Sequence, residues 1–220
     1  MNFPTLLGVS SDLRGAPQTS SFGGVVPLQT MLAIIAFGLL VITLIVRMRI
    51  LAHQGVKAFV FGQTNKSDFL LPPVILFIAY SLLASAFGWP EIPFLRSRFW
   101  PTGSLHWLSW LGLLICYLAV AGIIWALASF GRSFRVGIDA KDPGGLVTSG
   151  AFAVSRNPIY VCFLGFFIGL FLVTPTFMMA VAILFFTILI YRQTLREERF
   201  LTAHYGVAYQ EYRKRVRRFL

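Results

Sequence analysis

The sequence predicts an all-α integral membrane protein with five transmembrane helices, the last two a short helical hairpin, followed by a cytoplasmic C-terminal helical segment. Three observations carry that reading. Hydrophobic residues make up 57% of the 220 and charged residues only 12%, with a mean hydropathy of +0.75, a balance met in chains that use lipid as solvent. The apolar residues are gathered into five runs, three of them long enough to cross a hydrocarbon core of about 30 Å as helix. Of the 19 Lys and Arg, all but Arg14, Arg96 and Arg98 fall on one side of the membrane under that arrangement. The positive-inside rule then puts the loop near residue 140 and the C-terminal segment in the cytoplasm and the N-terminus outside. That means the inner membrane in a bacterium and the endoplasmic reticulum in a eukaryote. The net charge of +11 follows from the same bias and from attraction to anionic lipid, so no nucleic-acid partner is expected.

In order, residues 1–26 contain Ser, Gly and Pro with little periodicity, lack the build of a signal peptide, and read as a flexible extramembrane tail. The first span runs from Pro27 to Val46 and is followed at once by Arg47 and Arg49. A polar loop with Lys57 and Lys66 leads to a second span, Phe69 to Gly88, whose Pro72 and Pro73 are tolerable in a first helical turn. The connection Trp89 to Ser104 and the start of the third span bring Trp89, Trp100, Trp107 and Trp110, an interfacial aromatic belt. The third span, Leu105 to Phe130, is the longest and leaves Arg132 and Arg135 on its far side. Residues 27–130 thus form a three-helix transmembrane core.

Residues 131–220 form the second region. The stretch GGLVTSGAFAVSRNPIY, from Gly144 to Tyr160, is too polar and turn-rich to span. Its Gly144, Gly145 and Gly150 let backbone turn or approach a ligand, and Pro158 is suited to start a helix with Asn157 as its cap. Arg156 is thereby held at the mouth of a membrane helix, where it suits an anionic group or a lipid phosphate. Ile159 to Val173 and Phe177 to Tyr191 are short apolar runs joined by Thr174, Pro175 and Thr176, a helical hairpin. Gly165 and Gly169 in the first of these have the small-xxx-small spacing that admits a close neighbour.

From Arg192 to Leu220, helical period puts Glu198, Leu201, Tyr205, Tyr209, Tyr212 and Val216 on one face, with Glu197 and Arg215 along its border and Gly206 as a point of interruption. An amphipathic helix lying on the membrane accounts for the tyrosines and basic residues. It accounts less well for the adjacent Glu197 and Glu198, which need a cationic partner, whether a local arginine or a ligand. Cys116 and Cys162 lie inside apolar runs, and no His, Cys or carboxylate cluster suggests a metal.

The run LVTSGAFAVSRNPIY, an apolar hairpin, then REERFL and HYGVAYQEYRKRV resembles the isoprenylcysteine carboxyl methyltransferase and phospholipid methyltransferase family of membrane enzymes, over residues 130–220. The family's usual loop reads Arg-His-Pro-x-Tyr, and here Asn157 stands in place of the histidine. Where it often has an aromatic residue and an arginine shortly before, this chain has Phe152 and Ala153. The resemblance implies S-adenosylmethionine as methyl donor, with S-adenosylhomocysteine as product. It implies cofactor contacts from Val147, Gly150, Asn157, Pro158, Tyr160, Glu197, Glu198 and Tyr205, substrate contacts from Tyr209 and Tyr212, and catalytic roles for Arg156 and Arg215. Such a cofactor wants an acidic residue for its ammonium, a cation for its carboxylate and aromatic faces near its sulfonium. No Gly-rich strand-to-helix turn of the soluble Rossmann type occurs.

The activity expected is methyl transfer to a lipophilic acceptor entering from the bilayer, a prenylated substrate or a lipophilic small molecule, with the carboxylate of an isoprenylcysteine-like group favoured. The alternatives are a phospholipid or amine N-methyltransferase, a nicotinamide-dependent membrane reductase, and a non-catalytic lipid-binding scaffold. An amine acceptor would need Glu197, Glu198 or His204 to take its proton.

Overall fold

The computed structural model describes residues 26–54, 71–101, 105–131 and 145–220. The expectations for the N-terminal tail, Lys57, Lys66, Arg132, Arg135 and Gly144 lie outside the described residues. Among the described residues the chain is all-helical: α1 (Leu28–His53), α2 (Leu71–Phe87), α3 (Pro93–Arg96), α4 (His106–Phe130), a 3-10 turn (Gly150–Ala153), α5 (Pro158–Val173), α6 (Phe177–Tyr205) and α7 (Val207–Arg215).

Three helices, α1, α4 and α6, are long and apolar enough to cross a membrane, and Pro72–Phe87 and Pro158–Val173 are shorter apolar helices. Two of the expected ends move. The first helix does not stop at Val46 but continues through Arg47 and Arg49 to His53, because long unbranched side chains propagate a helix well and can snorkel out of lipid. The last apolar run, Phe177 to Tyr191, is the first part of a longer helix, since α6 is one rod of 29 residues that runs on to Tyr205. Arg192 to Arg199 contains no helix breaker, so nothing ends the helix where the apolar run ends. It stops at Gly206, whose φ of 53° and ψ of −122° lie in a region that only glycine enters at little cost. The single tyrosine-bearing face expected between Arg192 and Leu220 is therefore divided between two helices.

At its other end α6 is capped by Thr176, whose hydroxyl accepts from the Met179 amide at 3.2 Å. Extended pairing between Arg98 and Thr176 fastens this hairpin turn to the segment after α3, through Phe99 N to Pro175 O and Phe177 N to Ser97 O, both 2.9 Å. Trp89, Trp107 and Trp110 are exposed, as an aromatic belt requires, whereas Trp100 packs edge-on against Phe171.

The core lies between the helices. The α4–α5 pair is the most extensive packing, α1 lies against α4, and α2 against α6. Phe166, Phe167, Leu170, Ile123 and Cys116 are fully enclosed. The close approach of α4 and α5 comes from two glycines. A Cβ on Gly112 would meet the Gly169 carbonyl at 2.5 Å, and one on Gly169 would meet the Gly112 carbonyl at 2.6 Å. Of the small pair noted in α5, Gly169 makes this contact and Gly165 faces open space. Lipid offers helices no hydrophobic driving force, so backbone proximity of this kind is what holds them.

Candidate functional site

Four segments converge at one end of the bundle: the Gly145–Asn157 loop, the last turns of α6, α7, and the extended residues that follow α7. The loop is shaped by Gly150. Its φ is 62°, and a side chain there would collide with Ser129 of α4, whose Oγ lies 2.3 Å from the position a Cβ would take. The contact serves a purpose, since Ser129 Oγ accepts from the Ala151 amide at 3.1 Å and fixes the 3-10 turn on α4. Phe152 then packs edge-on against Phe130 with ring centroids 4.7 Å apart, and the Tyr212 hydroxyl donates to the Phe152 carbonyl at 2.6 Å. The loop is thus bound to α4 on one side and α7 on the other.

This frame delivers Arg156 to Glu198. Their Nη2 and Oε1 atoms are 3.3 Å apart, with the side chains only 9% and 7% exposed. A second arginine, Arg218, reaches Oε2 of the same carboxylate with Nε at 3.1 Å and Nη2 at 2.9 Å. Tyr209 of α7 lies against this cluster at 1% exposure. Burial, reinforced by Glu198 and opposed by Arg156 and Arg213, pushes its phenol up to about 12. Tyr212 is likewise pushed up to about 12, by burial and by Tyr209. The Glu198 hydrogen bond raises the Arg218 guanidinium above its ordinary range.

Several buried polar atoms here lack a hydrogen-bond partner among the described residues: Nε and Nη1 of Arg156, Oε1 of Glu198, and Oγ1 of Thr194, one helical turn before Glu198. Buried donors and acceptors are nearly always satisfied in folded proteins, because an orphan costs about 1–3 kcal/mol. Here open donors and open acceptors stand side by side, which suits a ligand carrying both a carboxylate and an ammonium.

Glu197 points the other way on α6. Its Oε1 accepts from the Tyr160 hydroxyl at 2.6 Å and from Gln193 Nε2 at 2.9 Å, tying α5 to α6. Asn157 holds the cap position of α5 but makes no side-chain cap bond. Its Nδ2 donates instead to the Arg218 carbonyl at 2.9 Å. Pro158 occupies the first turn of α5 as expected. Tyr205, at the end of α6, meets the His204 ring edge-on at 4.7 Å. Val147 is half-buried in the loop, and Arg215 is exposed at the end of α7.

Of the residues singled out in the sequence, the structure brings Arg156, Glu198 and Tyr209 into one cluster, with Asn157 and Tyr212 beside it. It adds Arg218 and Thr194, which sequence reasoning missed. For Thr194 a signal existed, since it lies four residues before Glu198 and so on the same helical face.

Residues 107–208 match the family model described as phospholipid methyltransferase, within the group of membrane methyltransferases that the loop and tail motifs resemble. The match runs from α4 to the first residues of α7 and so includes Arg156, Glu197 and Glu198. No curated protein matches the chain.

Proposed function

Taking the phospholipid methyltransferase family of its second half as premise, we propose that this protein is an S-adenosylmethionine-dependent methyltransferase acting on a lipophilic acceptor at the membrane surface. The observation that carries the reading is the buried Arg156–Glu198 pair with its open donors and open acceptor. In it, Glu198 Oε1 receives the ammonium of the cofactor and Arg156 a carboxylate. Tyr205, Tyr209 and Tyr212 supply aromatic surface, and Val147, Gly150, Asn157, Pro158, Tyr160 and Glu197 form or brace the wall. When bound, the cofactor supplies an electrophilic methyl group on a sulfonium sulfur.

Helix lengths favour an acceptor delivered by the bilayer. Glu198 is the 22nd residue of α6, about 32 Å from its start at 1.5 Å per residue, which is the far edge of a hydrocarbon core of about 30 Å. The 16 residues of α5 span only about 24 Å, so the loop before it is drawn in toward lipid. In this reading the chain crosses the membrane five times, residues 27–130 forming a three-helix transmembrane core, and the Lys and Arg bias puts this end in the cytoplasm.

A carboxylate acceptor is favoured because it arrives as the anionic nucleophile and asks for no base from a cluster whose one buried carboxylate, Glu198, already faces two guanidiniums. The chain's work in that case is to hold the acceptor, exclude water and align it, with no proton to remove. The second reading, a phospholipid amine as acceptor, is favoured by the family match itself and requires a base, for which Glu197, Glu198 and His204 are the candidates. Exposed Arg215 retains a role on this site only if it contacts acceptor at the surface.

The test is thermal stability of the detergent-purified protein against S-adenosylhomocysteine, for wild type, Glu198→Gln and Arg156→Ala. A concentration-dependent rise in wild type that both variants lack supports the reading, and a folded wild type that shows no rise at millimolar ligand refutes it. Transferred methyl label that alkali releases identifies a carboxyl ester, and label that resists alkali identifies an amine.

A further inference from the structure

After α7 the chain leaves helical conformation at Val216, with φ −120° and ψ 133°, and runs extended across the Arg156 loop. It is held there by backbone and side chain alike. The Arg156 amide donates to the Arg217 carbonyl at 2.9 Å. The Arg218 carbonyl accepts from Ser155 Oγ at 3.3 Å and from Asn157 Nδ2 at 2.9 Å. Asn157 therefore spends its amide on this strap and not on its own helix.

The guanidinium of Arg218 makes an unequal contact. Two of its nitrogens, Nε and Nη2, donate to Oε2 of Glu198, while Oε1 has no hydrogen-bond partner among the described residues and lies 3.3 Å from Arg156. One oxygen of the carboxylate is used up by the strap, and the other is left for the site. A glutamate has three side-chain rotations, and ordering them costs conformational entropy. If the fold has already ordered it, ligand binding does not bear that cost.

We propose that Arg218 is a positioning residue: by gripping Oε2 it holds Glu198 so that Oε1 meets the ammonium of an amino-acid-type ligand, while the strap carbonyls hold the loop that carries Arg156. This rests on Glu198 being the ammonium contact. It makes the Val216–Leu220 strap part of the site although it touches no ligand. The opposite arrangement, in which the Arg218 cation merely fills the place of the ligand's ammonium and must leave on binding, predicts the reverse effect of removing it.

The experiment is a titration of the full chain in detergent with S-adenosylhomocysteine, for wild type, Arg218→Gln, Arg218→Lys and Lys214→Gln. Lys214 pairs with Glu211 at the surface, so its variant controls for the loss of one positive charge. Arg218→Gln is expected to weaken binding about tenfold, Lys214→Gln to match wild type, and Arg218→Lys to recover part of the loss, because an ammonium restores the charge but not the two-donor grip. A purely structural loss would lower the melting temperature of the ligand-free variants and leave the affinity of the folded fraction unchanged. Equal affinity in Arg218→Gln and wild type overturns the proposal, and tighter binding overturns it in favour of the displaced-cation arrangement. Should Arg218→Gln not fold, Arg218→Lys decides: wild-type or tighter affinity overturns the proposal, and a partial loss supports it. A wild type that binds no S-adenosylhomocysteine overturns the cofactor reading and this inference with it, whereas a loss confined to the Arg218 variants upholds both.

Discussion

Replacing Glu198 by Gln keeps the shape of the side chain and removes only its charge, so it isolates the electrostatics of the cluster. Arg218 is 31% exposed and can turn its guanidinium to water, so its share of the loss is that of a surface pair, below about 1 kcal/mol. Arg156 has no such exit, because its side chain is 9% exposed and Glu198 is the carboxylate facing it at 3.3 Å. Removing one partner of a buried pair costs about 3–5 kcal/mol, since the remaining charge is left uncompensated. The Gln carbonyl still accepts one hydrogen bond, which returns about 1 kcal/mol. The net expectation is a destabilisation of about 3 kcal/mol, which lowers the melting temperature by about 6–12 °C for a chain of this length.

The assay is thermal unfolding in detergent for Glu198→Gln, Arg156→Gln and the double variant. The double variant has neither charge to strand, so it is expected to be less destabilised than the two single losses added together, by about 1–3 kcal/mol. Additive losses, or a Glu198→Gln protein that melts within about 2 °C of wild type, would refute the claim that Glu198 compensates Arg156.

Two other outcomes follow from packing and from the buried phenols. Gly169→Ala places a methyl against the Gly112 carbonyl at 2.6 Å and Cys116 Sγ at 2.7 Å and should cost about 1–3 kcal/mol by overpacking, whereas Gly165→Ala meets nothing within 4 Å and should be neutral or slightly stabilising; comparable melting of the two variants would show that α4 and α5 do not depend on this contact. Tyr209 and Tyr212 are raised in the folded state to about 12 from an ordinary value near 10, so they favour the fold fully below about pH 10 and their contribution is lost as pH rises toward 12; denaturant midpoints across that range should fall in wild type, and fall less in Tyr209→Phe.

Much of the site can be read from residue order, because its parts are local motifs. Arg156, Asn157 and Pro158 are contiguous and introduce a helix. Glu198 follows an apolar run and has no reason to sit beside anionic lipid. Gly150 was visible as a backbone exception, although its reason lies in Ser129, 21 positions earlier on another helix. Gly206 was legible as the interruption of the tyrosine face, but not where the chain goes after it: Tyr209 and Tyr212 reach the cluster by belonging to a separate helix, α7, beside the loop.

What the sequence by itself determined is the solvent and the elements. Apolar runs of helical length, bounded by arginines, tryptophans and prolines, make a membrane protein of helices, since backbone in lipid must satisfy its hydrogen bonds within each segment. The same runs locate the loop and the acidic pair at one end. Only the tertiary structure decided which charges meet. It brings Glu198 to Arg218, where helical spacing had put Arg215 on the border of its face. It seats Gly169 on Gly112 and turns Asn157 away from its own helix toward the strap. These contacts join positions 20 to 61 residues apart, and the strap that makes two of them is extended chain without periodicity. A repeat in the sequence specifies which face of one helix is apolar, whereas the meeting of two segments depends on how the intervening helices pack.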